Sequence, residues 1–334
     1  MQENGLWYLY SDGLSITPEA AAYISMHNIG LTQSSGMIKN LQNKVINAPV
    51  NYNYNCHRNM YTGEYECGYG RSYNFWFTPT YSNLSVETPF EYDADVYGGD
   101  AGVDVMLGNN SRVGLFASYR QGVYDLKGKG KDYKVAGSSE VDMDSYIGGL
   151  YYDYERGNFW ALASVFGGVS GADISTDDGV NSSVDGMQIG ASFDIGYAIK
   201  LYGNWNIEPT IGVHYNRIDY DDASDNADTM VSYDALQQFE TEAGIKFEKF
   251  FISRYGISNL YLKPSVLQTY NDGNSAMFMG IENIATVEDD TFIRLELGGS
   301  IQYSPRWKLF GTLSNTFNGN YRDTSVNIGF NYNF

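Results

Sequence analysis

The last ten residues of the sequence, S-V-N-I-G-F-N-Y-N-F, alternate strictly between apolar and small polar residues. This period of two is typical of a β-strand whose faces meet different surroundings. Val326, Ile328 and Phe334 belong to the apolar face, and Asn327 and Gly329 belong to the other. Because the last residue is part of the strand, we expect both strand edges to be paired. That requires the first strand of the sheet to close a barrel with the last.

The same alternation recurs along the chain and predicts twelve strands. Composition agrees, because 37 glycines and 30 tyrosines against 7 prolines are typical of strands and turns. In one strand, Ile211 and Val213 alternate with Thr210 and His214. The predicted strands cover residues 71–83, 94–107, 111–125, 143–154, 158–171, 186–201, 204–218, 236–250, 258–270, 291–304, 306–317 and 325–334.

The connections between these strands alternate in length. Turn-sized connections such as 155–158 and 202–204 alternate with long ones such as 219–235 and 271–290, which are rich in Asp, Gly, Ser and Asn. Outer-membrane barrels have this arrangement, with short turns on the periplasmic side and long loops outside. The sequence therefore predicts an all-β fold, a 12-stranded antiparallel transmembrane β-barrel. Because the strand number is even, the first strand begins and the last strand ends on the periplasmic side.

The polar faces of the strands carry charges of both signs. Such a face fits a pore better than a dry core, where an unpaired charge is costly. The residues that we expect to line the pore are Asp100, Asp104, Arg120, Asp194, Glu208, His214, Glu240, Glu242, Lys246, Arg294 and Glu296.

Four tryptophans lie near the ends of the predicted strands, beside tyrosine and phenylalanine. In a transmembrane barrel such residues form aromatic girdles at the two membrane interfaces, whereas in a soluble barrel they would be core residues. We expect girdle positions for Trp76, Trp160, Trp205 and Trp307.

Residues 17–45 break the β pattern and predict a helix. Thr17 suits the N-cap, Pro18 the first helical position and Glu19 the positive end of the helix dipole. At about 1.5 Å per residue the helix would be about 40 Å long, enough to cross a membrane-embedded barrel. Its small and polar surface does not suit lipid, so we expect it inside the pore, with packing beneath the barrel as the alternative. Gly30 and the segment 34–36 are candidate kinks.

Two cysteines follow the predicted helix. Cys56 and Cys67 bracket a Thr-Gly turn, and proteins of the outer membrane mature in an oxidising compartment. We expect a disulfide that closes this small hairpin and stabilises it by about 3 kcal/mol. A metal site with His57 is the alternative, but it lacks a fourth ligand and a recognisable spacing.

In their order, several segments resemble the translocator domain of classical monomeric autotransporters, the type V secretion proteins. The closing strand matches the polar-x-Gly-x-x-aromatic-x-aromatic signal read by the outer-membrane assembly machinery at Asn327, Gly329, Tyr332 and Phe334. The other segments are W-Y-L at 7–9, L-Q-N-K-V at 41–45, Y-G-G-D-A-G-V-D-V at 97–105 and S-R-V-G-L-F-A-S-Y at 111–119.

The resemblance implies a non-enzymatic task. The barrel would lie in the bacterial outer membrane as a monomer, contact lipid and the barrel-assembly machinery, and display an N-terminal passenger at the cell surface. The chain then divides into a passenger remnant (1–16), a linker helix in the pore (17–45), a cysteine-containing insertion (46–70) and the barrel (71–334).

The start of the sequence has neither the basic region nor the apolar core of a secretory signal. We therefore expect the signal to lie upstream in a longer protein. Some relatives cut their linker at two adjacent asparagines. Because Asn28, Asn40 and Asn43 are not adjacent, we expect the linker to stay uncut.

Other functions are weaker fits to the sequence. A net charge of −19 argues against a nucleic-acid partner, which would require a basic patch. A plugged outer-membrane porin or solute channel is the main alternative. A barrel hydrolase is less favoured, because His27, His57 and His214 are too scattered for a catalytic cluster. We expect no enzyme activity, no metal and no cofactor.

Overall fold

The computed structural model of the chain describes residues 2–3, 7–10, 13–46, 55–58, 65–68, 73–87, 90–108, 110–130, 135–253, 256–280, 282–302, 304 and 306–334. Twelve long strands form one antiparallel sheet in which each strand pairs with the next along the chain. The strands are β1 Tyr73–Val86, β2 Phe90–Met106, β3 Ser111–Gly130, β4 Ser139–Arg156, β5 Phe159–Thr176, β6 Asn181–Tyr197 with its continuation Ile199–Leu201, β7 Trp205–Tyr220, β8 Leu236–Ser253, β9 Gly256–Asp272, β10 Thr291–Gln302, β11 Trp307–Phe317 and β12 Tyr321–Asn333.

The sheet closes on itself through β12 and β1. Val326 lies opposite Tyr81 and Phe330 opposite Phe77 in this antiparallel pair. At the end of the seam, the Phe334 N–H donates to the Tyr73 carbonyl at 3.0 Å, and the Tyr73 N–H donates to the Phe334 carbonyl at 3.3 Å. The predicted closed barrel of twelve strands is confirmed.

The two faces of the closing strand have opposite chemistry, as the sequence predicts. Ile328 on the outer face is 65% exposed, whereas its neighbour Asn327 on the inner face is 2% exposed. Valine, leucine, isoleucine and tyrosine form most of the other large exposed side chains. A barrel with an apolar outer wall and a polar inner wall suits a lipid environment.

The strands extend further toward the long connections than predicted. Strand β3 has 20 residues, whereas about 9–11 residues suffice to cross a bilayer. In β4 the same residues of the alternation point inward along the whole strand, but the polarity of the two faces is exchanged. Near the end that joins the long connections, Val141 points inward and Asp142 outward, whereas further along Ser145 points inward and Tyr146 outward. The outer ends of the strands therefore have an apolar inside and a polar outside.

Two of the four expected girdle tryptophans lie inside the barrel, so that part of the prediction is wrong. Trp76 is fully buried, and the indole N–H of Trp160 donates to Glu208 at 2.9 Å. Each ring covers a glycine of the neighbouring strand, Gly102 and Gly196 respectively, which leaves room for an inward indole. The other two, Trp205 and Trp307, are exposed on the outer face.

Helix α1 runs without interruption from Pro18 to Ile46 over 29 residues. The Thr17 hydroxyl accepts a hydrogen bond from the Ala20 N–H at 3.4 Å, in the manner of an N-cap. The candidate kinks do not interrupt the helix. The Ser34 hydroxyl donates to the Gly30 carbonyl one turn earlier at 3.2 Å. Among the described residues, no helix combines the length and the apolar character needed to cross a membrane.

The helix lies inside the barrel, because its side chains contact strands all around the wall. Near the Ile46 end, which is its lower end from here on, Asn40 contacts β2 and β12, Gln42 contacts β6 and β7, and Lys44 contacts β2 and β4. The expected position of the helix in the pore is confirmed, and packing beneath the barrel is excluded.

Short strands lie on both sides of the helix in sequence. The segments Gln2–Glu3, Trp7–Tyr10 and Gly13–Ile16 form an antiparallel sheet before it. After it, Asn55–Arg58 pairs with Tyr65–Gly68. The remainder of the insertion predicted at 46–70 lies outside the described residues.

The cysteine pair is favourably placed along the backbone. Cys56 lies directly opposite Cys67 in the short hairpin. Opposite residues in an antiparallel pair have Cα atoms about 4.5–5.5 Å apart, within the range of about 4.4–6.8 Å that a disulfide requires.

We predict that Cys56 and Cys67 are joined in the mature protein, because the backbone register brings them within bonding distance. Thiol alkylation without reductant should leave the mass unchanged, and alkylation after reduction should add two groups. The single variant Cys56→Ser is the control and should add one group without reductant. Two added groups in the unreduced wild-type protein would contradict the disulfide.

Candidate functional site: the occupied pore

All eleven residues predicted to line the pore lie on the inner face of the barrel. Ten of them are buried, and the side chain of Glu240 is 13% exposed. The alternation of each strand places them there, because residues two apart share a face. The wall thus concentrates ionisable side chains in a space closed from solvent, where each charge needs a partner.

Part of this charge is paired within the wall. Glu242 accepts hydrogen bonds from Lys263 at 2.8 Å and from Arg294 at 3.0 Å, and Lys263 lies 3.7 Å from Glu296. The sequence prediction missed Lys263, although the alternation of its strand would have placed it inward with Asn259 and Tyr261.

A second group pairs near the turn-side end of the barrel. Lys246 lies 3.2 Å from Glu208 and 3.5 Å from Glu248. Arg112 lies 3.0 Å from Asp153. Buried pairs of this kind are costly to break from one side, because one charge is then left alone. The wall is therefore a preformed electrostatic surface on which the helix rests.

Asn40 joins the helix to the wall beside the closing seam. Its amide nitrogen donates to Asp100 at 2.5 Å, and its oxygen accepts from the Asn327 amide at 3.0 Å. Asp100 is also paired with Arg120 at 2.9 Å. One helix side chain thus bridges β2 and β12, the two neighbours of β1 in the barrel.

Gln42 contacts the opposite side of the wall. Its amide nitrogen donates to Asp194 at 2.7 Å and lies 3.1 Å from the His214 ring. His214 in turn bridges Asp194 at 3.0 Å and Glu240 at 2.9 Å. The predicted lumen residues of β6, β7 and β8 therefore meet around a single helix side chain.

The outer half of the helix has apolar surroundings instead. Its first turns pack in a buried cluster with the outer ends of the strands and with residues of the long connections. Tyr23 packs against Phe278 with ring centres 6.3 Å apart. The Tyr220 hydroxyl donates to the Met26 carbonyl at 3.1 Å. This packing occupies most of the outer mouth of the pore and leaves a space of about 170 Å³ beside Asn28.

A small sheet from two of the long connections completes that outer filling. His27 Nδ1 lies 2.7 Å from the hydroxyl of Thr286, beside this sheet. Among the residues that the structure describes, no group of His, Cys, Asp and Glu is arranged to hold a metal ion. The four strands of the small sheet are Ala223–Ser224, Met230–Tyr233, Ser275–Phe278 and Glu282–Ala285.

The opposite end of the pore contains open space. A cavity of about 470 Å³ lies beside the short turns, and its lining includes Val45, Trp160, Glu208 and Lys308. The helix reaches this cavity with its last residues. Smaller spaces of about 170 and 90 Å³ lie beside the helix further up, near Asn28 and near Lys39, so the helix occupies the pore without filling it completely.

Inward aromatic rings shape the pore by covering glycines of the neighbouring strand. A Cβ atom at Gly102 would lie 2.6 Å from the Trp76 ring, and one at Gly114 would lie 2.4 Å from the Tyr151 ring. Contacts this short do not occur between a Cβ and a ring, so any side chain at these positions would displace the aromatic. Glycine therefore sets the shape of the wall that receives the helix.

Comparison with known proteins is consistent with this architecture. A family model described as autotransporter beta-domain matches residues 75–314, which is more than half of the chain. A search among curated proteins found no match to the sequence.

Several solved structures share the fold, and at their low identities the likeness concerns the fold alone. The translocator domain of autotransporter NalP from Neisseria meningitidis has a TM-score of 0.63 and 13% identity, covering 80% of this chain and 89% of that one. The β domain of the Bordetella autotransporter BrkA has a TM-score of 0.64 and 16% identity, and the match covers 79% of this chain and 100% of that one. The transport unit of autotransporter AIDA-I from Escherichia coli has a TM-score of 0.63 and 11% identity, and the match covers 83% of this chain and 95% of that one.

We predict that Gly102→Ala lowers the free energy of unfolding by about 1–3 kcal/mol, because the added methyl group overlaps both the buried Trp76 ring and the Leu115 backbone oxygen. Urea unfolding of the barrel in detergent measures the effect. The control is Gly148→Ala, where the new Cβ would lie 3.8 Å from the Phe116 carbonyl, an ordinary contact. Its effect should stay within about 0.5 kcal/mol. Equal effects of the two variants would contradict this role of Gly102.

Proposed function

The chain belongs to the autotransporter β-domain family and is an outer-membrane translocator and anchor domain, and on this premise we propose that α1 is the linker of its own exported passenger, retained in the pore. The inner-wall residues hold this linker. The segment before α1 is then the end of the passenger, at the cell surface.

The observation that carries the proposal is the match between the lower half of the helix and the wall. Asn40, Gln42 and Lys44 all place polar groups on wall carboxylates, at distances of 2.5, 2.7 and 2.6 Å. A lipid-facing or freely sliding helix would not need three such contacts. The helix is held in one orientation and at one depth.

The direction of the helix agrees with export of an N-terminal passenger. Its Ile46 end lies near the short turns, which face the periplasm in barrels of this kind, and its Pro18 end lies among the long connections, which face outward. Residues that precede the helix in sequence therefore leave the pore on the cell-surface side.

We propose that the closing strand also serves assembly. Of the signal residues, Asn327 contacts the helix through Asn40, and the site of Gly329 is covered by the Phe310 ring. Tyr332 and Phe334 lie on the periplasmic end of the seam, with the Tyr332 ring 4.7 Å from Trp307. The strand end is thus exposed to a periplasmic assembly partner, and a single closed barrel suits a monomer.

We propose no catalytic role for the pore. His27 lies on the helix and contacts Thr286 of a long connection, and His214 of the wall contacts Gln42 of the helix, which suits a holding role. Asn40 and Asn43 lie within the continuous helix, where the backbone carbonyls belong to the helical hydrogen-bond ladder. Cyclisation of an asparagine would require its side chain to attack that carbonyl. We therefore propose that the linker stays uncut.

We predict that a reporter protein fused before residue 1, behind a secretory signal, reaches the cell surface and stays joined to the barrel. Added protease should remove the reporter from intact cells, and untreated cells should show one chain of full length. The same fusion without residues 321–334 is the control and should not display, because β1 then lacks its partner. A folded barrel with a reporter reachable only after the outer membrane is broken would contradict the proposal, and a fragment beginning after Asn40 or Asn43 would contradict the uncut linker.

A further inference from the structure

The ammonium group of Lys44 lies in a closed cage on the barrel wall. It donates to the Asp104 carboxylate at 2.6 Å and contacts the Tyr151 hydroxyl at 2.7 Å. The centres of the Tyr151 and Trp76 rings lie 4.5 and 5.9 Å away. Lys44 is fully buried. A carboxylate beside aromatic rings is a favourable environment for a cation.

The wall residues of the cage also hold one another. The Tyr151 hydroxyl accepts from the Trp76 indole at 3.0 Å and donates to Asp104. The Asn74 amide donates to the same Asp104 oxygen at 3.1 Å. The rings of Trp76 and Tyr151 lie over glycines of the neighbouring strands. Wall contacts thus position the carboxylate and the rings, so the cage belongs to the barrel rather than to the helix.

The cage differs from the other polar contacts of the helix in its charge. Asp100 and Asp194, which receive the helix amides, already contact Arg120 and His214 of the wall. The hydrogen-bond partners of Asp104 in the wall, Asn74 and Tyr151, are neutral. The positive charge that Asp104 contacts directly comes from the helix.

The sequence around Lys44 makes the contact specific for one depth of the helix. A shift of the helix by one turn, three or four residues, would bring Asn40 or Leu41 to the cage. In the sequence, the residues three and four positions after Lys44 are Asn47 and Ala48. None of these side chains carries a positive charge. Each displaced position would therefore leave the Asp104 carboxylate without a direct positive partner in an enclosed space, with only the more distant Arg112 of the wall nearby, which is unfavourable.

We propose that the cage of Asp104, Tyr151 and Trp76 is a lysine-binding stop in the barrel wall, which receives Lys44 and fixes the depth at which the linker comes to rest. The inference rests on the proposed function, in which the helix is the retained linker. Lys44 lies in the last turn of the helix, on the periplasmic side. Its arrival would hold the helix in the pore and so restrict the passage of ions.

The experiment uses the full chain with its displayed reporter and compares wild type, Lys44→Met, Asp104→Asn and the double variant. Reporter display on intact cells is measured first, followed by the fraction of time for which the pore conducts in a planar bilayer. Lys39→Met is the control, since this second buried helix lysine donates to the hydroxyls of Ser314 and Ser325.

All variants should display the reporter. The conducting fraction should rise about tenfold or more in Lys44→Met, because loss of one partner leaves a buried charge alone. The double variant should fall back toward wild type, since it removes both charges, and Lys39→Met should change the fraction less than Lys44→Met does. If Lys44→Met lowers the amount of folded barrel, Asp104→Asn tests the same contact from the wall and should also raise the conducting fraction.

Two results would overturn the lysine stop while leaving the proposed function intact. One is a normally displayed reporter with a conducting fraction in Lys44→Met and Asp104→Asn equal to that of wild type. The other is a set of effects that add in the double variant, which would mean that Lys44 and Asp104 act independently. Absence of the reporter from the surface of wild-type cells would instead count against the proposed function itself.

Discussion

The backbone pairing of β12 with β1 is the interaction on which the rest of the structure depends. No water is present in the core of a bilayer, so every backbone N–H and C=O of a strand there needs a partner within the protein. A sheet meets this condition only when its last strand returns to its first. The pairing that runs from Tyr321 opposite Val86 to Asn333 opposite Asn74 meets it here. Closure in turn creates an inner wall, which must be filled.

The filling divides into two kinds of contact along the helix. In the lower half, where the outer wall meets lipid, the inner wall is polar and Asn40, Gln42 and Lys44 satisfy its carboxylates. In the upper half, toward the long connections, the inward face of the strands is apolar, and apolar helix side chains such as Tyr23 pack against it. The polar contacts give one depth and orientation, and the apolar cluster packs the helix into the outer mouth. Together they suit a linker that must stay in place after export.

Much of this could be predicted from the sequence, because period-two alternation determines which residues share a face. The strand number, the closure and the inward position of residues such as Asp100 and Glu242 follow from it, and the position of the helix in the pore follows from its small, polar surface, which does not suit lipid. The lengths of the strands could not be predicted, because the inner face changes from polar to apolar near residues such as Val141, and the outer face changes from apolar to polar near Asp142. The alternation would also have placed Trp76 inward, on the face of Asn74 and Thr78. The cage at Lys44 could not be predicted, since it depends on the depth of the helix and on the register of neighbouring strands, which the sequence does not reveal.

The most direct test of a helix held at one depth in the barrel is a cross-link between Asn40 and Asn327, whose side chains meet at 3.0 Å. In a background of Cys56→Ser and Cys67→Ser, cysteines at positions 40 and 327 should be joined in whole cells by a short reagent that bridges two thiols. A cysteine at 328, on the outer face, should not be joined to one at 40. Efficient joining of 40 to 327 alone is the predicted result. A folded barrel in the outer membrane without that cross-link would contradict the retained helix.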